Sequence, residues 1–243
     1  MRLPATIACT IAVLTPAVAA AQPTPWTDRG YVAINGFYQS TSSFSDLVRP
    51  VQGGEAAQID TSYGVAGMPG FDAGAGVRLW RNLALGVDAG YASTSKHASV
   101  TAQVPHPFYF NRPRPVSGDT TGLSRSETAI NVEALLMVPI RARWQAAVFG
   151  GPTWFMVDQD LVTNVTVSES YPFDTATFAG ATVVRQSHSA AGFNVGGDLS
   201  YILRPHVGVG FDVRYSRATV ALTGSATVVA GGSHVGGGIR FRF

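Results

Sequence analysis

Charge is the first thing this sequence has little of. Asp, Glu, Lys and Arg make up 13% of its 243 residues, about half the share of an ordinary soluble domain. The hydrophobic fraction of 46% does not rise to compensate. A water-facing globule has no use for so bare a surface, whereas a surface facing lipid does. Lysine is reduced to Lys96 alone, and cysteine to Cys9. The latter excludes disulfides and thiolate metal sites from everything downstream. No apolar run after the N-terminus approaches the ~18 residues of a spanning helix. A chain that crosses a bilayer without helices must close its strands into a barrel, the other arrangement that pairs every backbone polar group. With Arg2 set aside, 16 basic residues face 15 acidic ones, a balance that implies no nucleic-acid partner.

The N-terminus accounts for both Arg2 and Cys9. A positive start, the short apolar run TIACTIAVL and the small residues of AVAAAQ read as a secretory signal over 1–21, cleaved near Ala21–Gln22. Residues 22–243 then form one domain. The very early place of Cys9, together with Thr6, argues against lipoprotein processing.

Eight stretches alternate with period two and are rich in Val, Ile, Phe, Tyr and Gly, over about 30–41, 71–80, 83–94, 127–138, 144–156, 188–203, 206–217 and 232–243. Most match the roughly 9–11 residues of a tilted spanning strand. Short links (WRNL, VPIRAR, LRPH) alternate with four long ones, 42–70, 95–126, 157–187 and 218–231. A soluble sandwich has no reason to sort its loops by length. A membrane barrel does, with short turns on one side and long loops on the other.

The strand faces separate in the same sense. Leu83, Leu85, Val87, Ala89 and Tyr91 oppose Ala84, Gly86, Asp88, Gly90 and Ala92. Val207, Val209, Phe211, Val213 and Tyr215 oppose Gly208, Gly210, Asp212, Arg214 and Ser216. Ile130, Val132, Ala134 and Leu136 stand against Glu127, Asn131 and Glu133, and Val235, Ile239, Phe241 and Phe243 against His234, Arg240 and Arg242. A midplane Arg or Lys facing lipid costs about 2–4 kcal/mol, which places the charged face inside. Trp144, Trp154, Tyr38, Tyr91, Tyr201 and Tyr215 near strand ends suit interfacial girdles. Trp80 shares the phase of Arg78 and fits the girdle only if the turn reorients it.

The opening RGYVAINGFYQ, the hairpin FDAGAGVRLWRNLALGVDAGYAS and the terminal GGGIRFRF resemble the small eight-stranded outer-membrane proteins of the OmpA-barrel, OmpX and OmpW group. The resemblance covers the whole chain after the signal. It implies an all-β, eight-stranded antiparallel transmembrane barrel in a bacterial outer membrane, with both termini in the periplasm and no cofactor. It also implies that Ile239, Phe241 and Phe243 are read by the outer-membrane insertion machinery as an assembly signal. The peptidoglycan-binding domain that follows the barrel in full-length OmpA is not expected, because no sequence follows the last strand.

Within the barrel the inward phase gathers Asp72, Arg78, Asp88, Glu127, Glu133, Asp198, Asp212, Arg214, Arg240 and Arg242. A lumen this narrow is filled by side chains, so the four arginines are expected to bridge the six carboxylates by forked contacts. Such a set serves as a structural plug or as a narrow gated channel. Outer-membrane enzymes that modify lipid A need Ser, His and an acid near the membrane surface. His97 with Ser99, and Ser187 with His188 and Ser189, lie near external strand ends, but no strained Gly-x-Ser-x-Gly elbow is present. His97, His106, His188, His206 and His234 show no metal-ligand spacing. The segment HPFYFNRPRP supplies Phe108, Tyr109, Phe110, Arg112 and Arg114 as a candidate binding loop, suited to lipopolysaccharide phosphates or a host surface, or else to packing over the barrel mouth. The chain reads as a monomeric, non-enzymatic surface or envelope-integrity protein. A narrow channel or hydrophobic-solute carrier of the OmpW type, and a lipid-A-modifying enzyme, stand as alternatives.

Overall fold

The computed structural model describes residues 27–64, 67–141, 143–222 and 227–243. The expected signal segment lies outside these residues. Twelve strands follow in chain order. β1 (Gly30–Gln39) enters the barrel, and β2 (Phe44–Val48), β3 (Val51–Gln52), β4 (Glu55–Ala56) and β5 (Gln58–Tyr63) make an excursion from it. β6 (Met68–Trp80), β7 (Leu83–Val104), β8 (Arg114–Arg141), β9 (Trp144–Glu169), β10 (Ala176–Arg204), β11 (Val207–Ala221) and β12 (Thr227–Arg242) complete it. Each of the eight long strands pairs antiparallel with its neighbour, and β1 pairs with β12 to close the ring. Tyr31 faces Arg242 and Gln39 faces His234 across that closure. At its base Arg29 and Gly30 N–H groups donate to the Phe243 carbonyl, at 2.6 and 2.9 Å.

The eight barrel strands stand where period two puts them, but four run far beyond a bilayer. β7 to β10 have 22, 28, 26 and 29 residues. Most of 95–126, 157–187 and 218–231, expected as loops, is strand. Their polar composition suggests loops because alternation continues with its sense reversed. On β11 the outward residues are Val209, Phe211, Val213 and Tyr215, then Arg217 and Thr219, while the inward ones are Asp212, Arg214 and Ser216, then Ala218 and Val220. On β7 Tyr91 ends the outward apolar row, and Ser95, His97, Ser99, Thr101 and Gln103 continue it, over buried Ala98, Val100, Ala102 and Val104. The lower part is therefore apolar outside and charged within. The upper part has the ordinary polarity of a soluble β-protein.

The upper interior is a dry core. Ile59, Tyr63, Val100, Leu123, Phe155, Val157, Leu161, Val162, Val220 and Val228 are all essentially inaccessible. At this height β5 and β2 take the place of β6 and β1 in the ring, with β5 paired to Ala98–Gln103 of β7. Among the described residues no pairing joins β2 to β12. Phe44 of β2 instead stacks on Tyr63 at 4.3 Å, and the Tyr63 hydroxyl reaches across the lumen to accept the Val162 N–H at 2.9 Å. The β3–β4 ribbon turns through Gly53 and Gly54, both at positive φ (59° and 89°), as a two-residue hairpin requires. It lies across the mouth. Gln52 donates to Asn164 and to the Val165 carbonyl, Glu55 accepts the Asn111 N–H at 2.8 Å, and Ala57 is wholly buried.

Local chain chemistry marks the level where the polarity reverses. Between Lys96/Leu123 and Ala98/Thr120 the β7–β8 register slips, and Gly122 takes φ of +78° there. A second slip between Arg78 and Trp80 turns Trp80 outward, where Arg81 covers its ring at 5.1 Å. The shared phase with Arg78 is thus broken at the turn.

If the apolar band faces hydrocarbon, position on one face of one strand decides the cost of a charge. Phe211→Arg is expected to destabilise the folded barrel by about 2–4 kcal/mol. Thr219→Arg, outward on the same strand but above the band, is expected to change stability by less than about 0.5 kcal/mol. Denaturant unfolding in phospholipid vesicles measures both.

Candidate functional site

Two regions gather polar side chains, one inside the lower barrel and one at its distal tips. In the lumen, Arg214 of β11 donates from Nη1 to Asp88 Oδ1 at 2.6 Å and lies 3.4 Å from Glu133 Oε1, its guanidinium 5.2 Å from the Phe149 ring. Asp88 also accepts from Asn131 Nδ2 at 2.8 Å. Thr153 Oγ1 donates to Asn131 Oδ1 at 2.7 Å, and Asn194 Nδ2 donates to Thr153 at 2.9 Å. This chain crosses from β11 through β7, β8 and β9 to β10.

A second chain starts at Asp198, which accepts from Arg240 Nε at 3.0 Å. Arg240 donates onward to Asn35, and Asn35 donates to Asp72 Oδ1 at 2.6 Å. His234, stacked on Phe37 at 3.9 Å, holds Nε2 between Asp72 (3.4 Å) and Asp212 (3.3 Å). Together the two chains touch all eight barrel strands. Burying so many charges is costly unless each is paired; alternating acid, amide and guanidinium groups supplies that pairing.

The expected inward residues are all half-buried or buried, but their partners differ from a simple arginine–carboxylate lattice. Arg214 and Arg240 each serve two carboxylates, Arg240 reaching Asp212 at 3.8 Å. Arg242 instead donates to Gln145 and to Ser200 Oγ at 2.8 Å, and stands 4.0 Å from Asp28. It lies at the base, beyond reach of the central acids. Arg78 lies at the same end, its backbone N–H bonded to Arg29 O at 2.8 Å. Glu127 is bridged by Arg125, a residue expected in a loop. Arg125 is 0% exposed, and its Nε donates to Glu127 at 2.9 Å. Gln39 (2.8 Å) and the Gly231 N–H (3.0 Å) donate to the same carboxylate. The signal for Arg125 was its even spacing from Glu127 and Glu133 along one inward phase.

Two cavities flank Arg214, about 60 Å³ toward the base and about 20 Å³ above it. Tyr31, Leu135, Met137 and Phe149 form an apolar wall of the larger one, facing Asp198, Asp212 and Arg240. Above the smaller one the apolar core begins. Lys96, beside Arg125 and above the Tyr91 row, donates to Thr41 Oγ1 at 3.0 Å. Burial, and then the Arg125 guanidinium, push its ammonium down to about 8, with Glu127 opposing.

At the distal end the β7–β8 hairpin, with Asn111 at φ +58°, and the β9–β10 hairpin meet. Arg114, an expected binding residue, is internal. It donates to Glu169, to Phe173 O at 2.9 Å and to Pro105 O at 2.9 Å, so it ties the two tips together. Arg112 pairs with Asp174 at 3.2 Å and lies 5.6 Å from the Tyr109 ring. Buried His106 accepts the Phe108 and Tyr109 N–H groups at Nδ1 (3.1 and 3.3 Å), which turns the chain back on itself. Phe108, Tyr109 and Phe110 project outward. Tyr171 and Phe173 join them from the other hairpin, with Phe108 and Phe173 centroids 5.5 Å apart.

The serine and histidine candidates do not come together. Ser187 donates to Asp158, Ser99 donates to Asp119 at 2.7 Å, and His188 Nδ1 meets only the Ser187 carbonyl at 3.0 Å. Among the described residues no group of three His, Cys, Asp or Glu could hold a metal ion. Ile239, Phe241 and Phe243 stand outward in one row at the base of β12.

Two measurements follow. Arg214→Met leaves Asp88 and Glu133 buried without their cation and is expected to cost about 3–5 kcal/mol; adding Asp88→Asn is expected to recover part of that loss. For Lys96 the unfolded amine, near 10.5, keeps its proton where the buried one, near 8, has lost it. Stability should therefore rise between pH 8 and 10.5, and Lys96→Met should remove that increment from pH-dependent unfolding curves.

No curated relative matches the chain by sequence. Among solved structures it is similar to Neisserial surface protein A, with 13% identity, 88% of this chain and 97% of that chain covered, and a TM-score of 0.46. It is also similar to OprG from Pseudomonas aeruginosa (12%, 89% and 96%, 0.45) and to the protease OmpT from Escherichia coli (8%, 92% and 99%, 0.44). A family model matches residues 5–241, and its description places such chains in the bacterial outer membrane. The chain belongs to the outer membrane protein beta-barrel domain family.

Proposed function

We propose that this chain is a non-enzymatic surface protein of the outer membrane whose work is done at its extracellular tips, in an adhesion-type role. One feature supports the reading above all: an apolar core fills the upper lumen while the hairpin tips expose large apolar rings. The dry core above Arg214 and the β3–β4 ribbon over the mouth oppose a continuous water path. Outside the apolar band, a concentrated set of large exposed apolar rings sits at the hairpin tips. Rigid scaffolds commonly display binding residues in this way. Aromatic side chains are also enriched at interfaces. The charged lumen then serves as cross-bracing, and the barrel works as a monomer.

A solute carrier is the second reading. It draws on the 60 Å³ cavity near the base. Planar-bilayer recording separates the two. The wild-type protein and Arg214→Ala are both expected to give no conductance steps, whereas steady steps from the wild type would favour transport. In the same strain background, Phe108→Ser with Phe110→Ser and Tyr171→Ser should reduce cell adherence at least about tenfold. Heat-modifiability of the barrel on gels should be unchanged. Adherence equal to wild type would end the surface role.

A further inference from the structure

We infer that the aromatic tips are a lipid-inserting wedge, which docks the barrel onto a second bilayer facing the cell; this rests on the surface-binding role proposed above. From Phe193, the last outward aromatic of the apolar band on β10, to Ala176 at the strand's upper end, the rise is about 40 Å at ordinary strand spacing and barrel tilt. The tips therefore stand clear of the membrane that holds the barrel, and their apolar surface faces whatever lies opposite.

Phe110 is 76% exposed, Tyr171 87% and Phe108 69%. They crown two hairpin ends, and none of them lines either lumen cavity. Their neighbours meet at steep angles, 67° for Phe108 with Phe173 and 87° for Tyr171 with Phe173. Rings packed edge to face, 5.5 and 6.2 Å between centroids, form one ridged cluster with no flat platform on which a sugar could lie. A convex apolar prow cannot enclose a peptide, but it can enter the interfacial zone of a bilayer, where aromatic rings are favoured.

Arg112 is engaged by Asp174, Arg114 by Glu169, and the Glu55 carboxylate by the Asn111 N–H. Each arginine of the two hairpin tips is thus met by a carboxylate. Attraction should therefore depend little on salt, and zwitterionic lipid should suffice. The ties between hairpins also hold the rings in place before contact, which reduces the ordering cost of docking.

The test uses the full barrel in nanodiscs and protein-free phosphatidylcholine vesicles, with and without 20% phosphatidylglycerol. In a Cys9→Ser background, Phe110→Cys carrying an environment-sensitive fluorophore should brighten and shift to the blue when vesicles are added. The same label at Gln103→Cys, on the outer wall below the tip, should not respond. Co-flotation of the unlabelled protein with vesicles should weaken about a hundredfold in the Phe108→Ser, Phe110→Ser, Tyr171→Ser variant, and should persist in 0.5 M salt. No response at Phe110→Cys, equal flotation of the triple variant, or flotation abolished by salt overturns the wedge. Loss of cell adherence without any vesicle response overturns the wedge and leaves the surface role standing. Binding to glycans with no vesicle response has the same effect.

Discussion

The structure depends on a change of solvent partway up a single set of strands. Hydrocarbon surrounds the lower barrel and water surrounds the upper. A strand has only two faces, so one chain must satisfy both media by exchanging what its faces carry. β11 makes the exchange between Tyr215 and Arg217 outside, and between Ser216 and Ala218 inside. Below that level the outward phase must be apolar, and polar residues are left to the lumen. Above it the outward phase is polar, and the interior is free to pack as an ordinary core.

The two halves are consequently held together by different forces. The lower lumen is too narrow for bulk water, and its order comes from hydrogen-bonded charges linked through Asn35 and Asn131, together with a small apolar cluster of Leu135, Met137, Ala147 and Phe149 toward the base. Amides suit this role because each both donates and accepts, which links one ion pair to the next without adding charge. The upper half relies on burial of Val, Leu, Ile and Phe, the larger and less directional source of stability. Arg125, Glu127 and Lys96 occupy the junction. There the outward row of β7 has turned polar, from Ser95 on, and apolar packing caps the charges above.

What could be read from residues follows the same division. Strand existence, phase, the tight turns and the inward acids of the lower barrel were legible, because a lipid-facing row admits almost no exceptions. The upper strands were not. Ser93 to Gln103 carries the composition of a loop, and its alternation of Ala and Val with Ser and Thr is weaker than the Leu–Asp contrast below it. The excursion of β2 to β5 was illegible for a different reason. Its place beside β7 is set by contacts distant in sequence, such as Tyr63 with Val162, which no local pattern encodes. Arg114 resembles a surface contact in HPFYFNRPRP, yet its strand phase turns it inward. Of the candidate binding loop, the aromatic rings project outward, and the guanidinium nearest the strand became the tie behind them.

That exchange of roles explains why the strands run on at all. A flexible loop could present Phe108 and Phe110 with fewer residues, but exposed rings on a mobile tether collapse against the nearest apolar surface or against each other. Holding them out toward solvent requires support that does not yield, and a paired strand supplies it only when its inner face has something to pack against. The dry core meets that requirement along the upper barrel. At the very end, where the barrel offers no more apolar packing, Arg114 and His106 take over by bonding backbone groups of both hairpins. The inverted upper barrel is thus the physical condition for exposed aromatics to stay exposed.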